Sequence, residues 1–91
     1  MDTMTLTLNH ASVPAVLYGS PSPQVWLCLH GKGGRKEEAE SFAQVVCPKG
    51  RQVLSIDLPG HGARRDRGEA LAPWTAVPDI RAALDWAERR P

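Results

Sequence analysis

The residues best placed to do chemistry form one run, His30-Gly31-Lys32-Gly33-Gly34, directly after the apolar stretch Val25-Trp26-Leu27-Cys28-Leu29. Glycines let the main chain turn sharply and approach a ligand with no side chain between. Backbone N–H groups can then converge on an anion. Two chemistries use such a loop: phosphate binding, and stabilisation of the oxyanion formed in acyl transfer. The phosphate patterns fail on spacing. G-x-x-x-x-G-K-[ST] needs Lys and then Ser or Thr after its last glycine, whereas Gly34 is followed by Arg35 and Lys36. The dinucleotide pattern G-x-G-x-x-G begins at Gly31-Lys32-Gly33 but has Lys36 where its last glycine belongs. His-Gly after an apolar strand fits an oxyanion loop better. Taken alone, it fits a plain glycine-rich strand-to-helix turn equally well.

A second compact turn, Asp57-Leu58-Pro59-Gly60-His61-Gly62, closes another apolar run. Elsewhere the signals are blander. Arg64, Arg65 and Arg67 cluster without interleaved aromatics, which predicts a solvated loop rather than a phosphate patch. Arg89 and Arg90 suit the end of a helix. Cys28 and Cys47 form neither a C-x-x-C pair nor a zinc pattern, and Cys28 is expected as a buried, reduced thiol. His10 has the setting of a turn residue.

The elements that must position these turns follow from periodicity. Thr3–Leu8 alternates, with Met4, Leu6 and Leu8 on one side and threonines on the other, so a half-buried strand is expected. Val13–Tyr18 predicts a second strand, antiparallel to the first. Pro14 suits its start or an edge position. Gly19–Pro23 is a connector. Val25–Leu29 and Gln52–Ile56 are apolar nearly throughout, as strands buried on both faces are. Between them Ala39, Phe42, Ala43 and Val46 share one face of a helix starting near Lys36, with Glu37, Glu38 and Glu40 at its positive end. Pro48 and Gly50 stop it. Ala63–Pro73 predicts an irregular surface loop. A second helix is expected over Thr75–Arg90, with Val77, Ile80, Leu84 and Ala87 as its stripe, Ala83 and Trp86 beside it, and Pro78 in its first turn. The order β-β-β-α-β-α implies an α/β fold, an antiparallel pair followed by βαβα in a mostly parallel sheet.

Ninety-one residues make at most one small domain, residues 1–91. With 42% hydrophobic and 23% charged residues, wholesale disorder is not expected. A net charge of +1 gives no general case for nucleic acid or an anionic membrane. No leader-like segment and no apolar run near ~18 residues is present, so a cytoplasmic protein is the default expectation.

The two turns together resemble the N-terminal part of the α/β-hydrolase family: a strand ending His30-Gly31-x-Gly33-Gly34, a helix, then a strand ending Asp57-x-Pro59-Gly60-His61-Gly62. The resemblance spans essentially the whole chain, but only about the first third of a typical member. It implies ester or related acyl-bond hydrolysis on a small-molecule acyl substrate, with no cofactor and no metal. The backbone N–H of Lys32, after His-Gly, would be an oxyanion donor. His30 and Gly31 would shape the loop, and Gly33 would line the substrate site. Asp57 would end a strand and tie down its turn, and His61 would sit at the pocket rim. Neither is expected in the triad, whose histidine follows the nucleophile in this family. The five serines, Ser12, Ser20, Ser22, Ser41 and Ser55, all lie outside a G-x-S-x-G elbow. Nucleophile, base and acid are therefore absent from this chain, which alone is expected to be inactive.

The family's sheet order puts the fourth strand between the second and third. Val25–Leu29 then becomes an unpaired apolar edge, and self-association through it is expected. A competing reading is a non-catalytic α/β module that binds a small anion or a nucleotide through the glycine-rich loop.

Overall fold

The computed structural model describes residues 1–90. Four strands, β1 (Thr3–Leu8), β2 (Val13–Tyr18), β3 (Val25–Leu29) and β4 (Gln52–Ile56), form one sheet in the order β1-β2-β4-β3. Helix α1 (Glu40–Val46) is extended at both ends by 3₁₀ turns, Lys36–Ala39 before it and Cys47–Lys49 after it. Another 3₁₀ segment, Gly62–Arg67, leads to the long helix α2 (Pro73–Arg89).

All four strands occupy the ranges expected from periodicity. The sheet is mixed, with β1/β2 and β2/β4 antiparallel and only β3/β4 parallel, against the mostly parallel sheet expected. One strand–helix–strand crossover produces one parallel pairing, and β2 runs against β4. Pro14 does not place β2 at an edge. β2 is interior and buried along its whole length. Its ladder with β4 begins at Ala15↔Ile56, so the missing Pro14 N–H falls outside that ladder. The Pro14 carbonyl instead accepts the Asp57 N–H at 3.0 Å.

Alternation along the strands sends side chains to two cores. Leu8, Val13, Ala15, Leu17, Leu54 and Ile56 meet Ala83 of α2 on one face. Val16, Tyr18 and Val53 meet Ala43 and Val46 of α1 on the other. β4 is central and wholly buried. β3 is paired only to β4, so its run is half exposed rather than buried on both faces, with Trp26 46% and Leu29 45% accessible. Trp26 leans on Phe42 of α1, ring centroids 5.5 Å apart.

α2 starts two residues earlier than expected. Thr75 Oγ1 accepts the Ala72 N–H at 2.9 Å, a side chain in the first turn reaching back to cap it. Pro78 therefore lies inside the helix rather than in its first turn. The buried stripe is also rotated. Asp79 and Ala83 are buried, whereas Val77 and Leu84 are exposed. Among the described residues no helix is long and apolar enough to cross a membrane.

Candidate functional site

Both turns lie at the same end of the sheet, because β3 and β4 are parallel neighbours in register (Leu29↔Ile56). The first turn is a tight one. Gly34 donates its N–H to Gly31 O at 2.9 Å, and Gly33 has φ +84°. That is a type II turn with Lys32 and Gly33 at its centre. Lys32 is exposed, and its N–H meets no acceptor among the described residues.

The turns are tied together by their histidines. His30 Nε2 accepts the Leu58 N–H at 3.0 Å, while His30 Nδ1 lies 2.8 Å from Gly31 O. His61 Nε2 accepts the Gly33 N–H at 2.9 Å, while His61 Nδ1 lies 2.9 Å from Pro59 O. A ring nitrogen facing a carbonyl must carry the proton, and one facing an N–H must not. The network thus assigns both rings to the Nδ1–H tautomer. Each turn supplies a histidine that holds an amide of the other, with the rings 5.0 Å apart.

Beneath the clasp lies an ion pair that the sequence did not reveal. Lys36, at the expected start of the first helix, is buried. Its Nζ reaches Asp57 Oδ2 at 2.8 Å and its N–H donates to Asp57 Oδ1 at 2.8 Å. Asp57, fully buried, also accepts the Ala63 N–H at 3.0 Å, and so ties down its own turn. Burial by itself raises the Asp57 carboxyl. The hydrogen bonds from the Lys36 ammonium and from the amides of Ala63 and Lys36 outweigh it and hold the group below the ordinary carboxylate range. Burial lowers the Lys36 ammonium, and its hydrogen bonds to Asp57 and Glu37 more than restore it, leaving it raised. Gly62 must be glycine here. Its φ is +54°, and a Cβ would overlap the Asp57 carboxylate.

The arginine cluster divides. Arg64 is buried rather than solvated. It forks onto Glu69, pairs with Asp79 of α2 and donates to Asp57 O at 3.2 Å. Arg65 and Arg67 stay exposed, Arg67 donating to Ser12 O at 2.7 Å. The expected loop is thus partly a 3₁₀ segment pinned by Arg64. Cys28 and Cys47 are free and half-buried, and burial raises both thiols. Among the described residues no cluster of His, Cys, Asp and Glu could hold a metal.

His30, Gly31, Lys32 and Gly33 therefore sit together on one loop, with the Lys32 amide unpartnered and the Gly33 amide occupied by His61. Gly33 also lines a cleft of about 460 Å³ between the two turns.

The architecture matches solved structures. The thioesterase domain from the curacin biosynthetic pathway superposes with a TM-score of 0.73 at 23% identity, over 94% of this chain and 33% of that one. The fold is that of an α/β-hydrolase, its N-terminal portion. A cold-adapted esterase from an Arctic intertidal metagenomic library superposes on the same α/β-hydrolase-type portion with a TM-score of 0.66 at 25% identity, over 94% of this chain and 43% of that one. The chain thus spans between a third and a little over two-fifths of those structures. No protein-family model and no curated protein matches the sequence.

Proposed function

We propose that this α/β-hydrolase-type chain is the N-terminal portion of a serine hydrolase acting on an ester or related acyl bond, and that it contributes the oxyanion loop. The observation that carries the reading is the Lys32 amide, left without an acceptor at the tip of a turn whose next two amides, Gly33 and Gly34, are both paired. A thioesterase domain and an esterase among the structural neighbours support acyl-bond hydrolysis. His30 and Gly31 shape the turn, and Gly33 contributes to the substrate wall. The Lys32 side chain has no chemical part. The competing reading, a non-catalytic anion or nucleotide module, has no comparable support.

The type II turn offers a clean test, because proline is favoured at its first central position, where Lys32 stands. Lys32→Pro keeps the turn and deletes the donor. In the hydrolase that carries this segment, Lys32→Pro should lower kcat for a p-nitrophenyl ester by about 10²–10³. Lys32→Ala should leave it within about twofold, because the amide remains. Equal losses from both variants would sink the assignment. The isolated chain should show no saturable turnover.

A further inference from the structure

The cleft between the turns carries a charge pattern that the hydrolytic reading does not use. Gly33, Gly34, Gly62 and Ala63 leave part of its wall as bare main chain, and the side chains of Lys36, Glu37 and His61 line it too. Two guanidinium groups, Arg35 and Arg65, stand at it as well. Both are exposed, and among the described residues neither forms an ion pair. The acids nearby are already engaged. Glu37 lies 3.1 Å from Lys36 Nζ, Asp57 is held by Lys36 and Ala63, and Glu38 Oε2 accepts the Arg35 N–H at 3.1 Å. Arg64, next in sequence to Arg65, is by contrast saturated by Glu69 and Asp79. Planar guanidinium groups are suited to bidentate contact with phosphate and carboxylate oxygens.

We propose that this cleft holds an anionic group of the acyl substrate, a phosphate or a carboxylate, between Arg35 and Arg65. The inference rests on the acyl-hydrolase reading for what the ligand is part of. Gly33 lines the cleft and adjoins Lys32, so the bound anion lies one residue from the oxyanion amide. The substrate is then an acyl compound with its negative charge close to the scissile bond, not a neutral ester.

The test is a binding measurement, so it stands or falls separately from turnover. The ¹⁵N-labelled chain is titrated at constant ionic strength with inorganic phosphate and, in a parallel arm, with acetate. Saturable shifts are expected at the Gly34 and Ala63 amides. Combining Arg35→Ala with Arg65→Ala should weaken the binding by about tenfold or more. The tighter of the two anions identifies the group. Both side chains are exposed, so the variant should keep a native-like spectrum. Arg35→Lys with Arg65→Lys is a second variant, retaining charge without the fork, and should bind between the two. No saturable shift with either anion, or shifts that survive loss of both arginines, would overturn the proposal. Failure here leaves the hydrolase reading intact, whereas equal losses of turnover from Lys32→Pro and Lys32→Ala, with anion binding retained, count against that reading alone.

Discussion

Gly33 donates its backbone N–H to Nε2 of His61 across 28 residues of sequence, at 2.9 Å. The Gly33 amide is therefore held by His61, while the Lys32 amide beside it meets no acceptor among the described residues. His30 returns the contact by accepting the Leu58 N–H. Two turns with little side-chain bulk are made rigid by each other, which is what a preorganised donor requires.

That clasp predicts an exchange pattern. His61→Ala should strip protection from the Gly33 amide while leaving the Leu58 amide, held by His30, protected. The cost in global stability should be about 1 kcal/mol, the usual net worth of one such hydrogen bond. Amide exchange followed by NMR reads both sites at once. An unchanged Gly33 rate would show that His61 does not hold it.

The Asp57–Lys36 pair predicts an asymmetry between its partners. Asp57→Ala leaves the buried Lys36 ammonium with Glu37 alone and orphans the amides of Lys36 and Ala63, so about 3 kcal/mol or more should be lost. Lys36→Met leaves Asp57 with both amide donors and should cost about half as much. Urea unfolding of the two variants gives the comparison. A larger loss for Lys36→Met would contradict the geometry.

Acid sensitivity follows from the directions of the shifts. Asp57 is lowered by the balance already described. Glu69 is lowered chiefly by its hydrogen bond to Arg64, against a smaller opposing effect of burial. A carboxyl whose folded pKa lies below its unfolded value contributes stability above the unfolded value, roughly 4 for these groups, and loses it as pH falls through the folded one. Lys36 is raised, so its contribution is complete below about 10.4 and fades at higher pH. Urea midpoints should thus fall below about pH 4, and Glu69→Gln should flatten part of the acid limb. An acid limb identical in that variant would remove Glu69 from the account.

The free side of β3 predicts association. Trp26 and Leu29 on the strand, Phe42 and Val45 on α1 and Leu84 on α2 are all exposed. An unpaired strand flanked by apolar surface is a template for another chain. Sedimentation velocity should show concentration-dependent oligomers, and Leu29→Lys should reduce them, as charge on an edge does. A monodisperse monomer at high concentration would refute the expectation.

The sequence by itself determined the strands, the two turns and their order. These are local signals: the alternation in Thr3–Leu8, the largely apolar runs of β3 and β4, and glycine or proline at the turns other than Asn9–Ser12. It also ruled out the two phosphate-binding motif patterns, because those are defined by spacing. Tertiary structure decided which amides are free and which charges are buried. Lys36 and Arg64 look like solvent-facing cations until Asp57 and Asp79 arrive from 21 and 15 residues away. The rotated stripe of α2, with Val77 and Leu84 outward and Asp79 inward, follows from the same Arg64 contact and not from hydrophobic period. The Lys32 amide was singled out by the resemblance to the hydrolase family. That the Gly33 amide next to it is paired required β3 and β4 to lie side by side in parallel, bringing His61 to the loop. Contacts of that range depend on how strands pair, and no local periodicity encodes them.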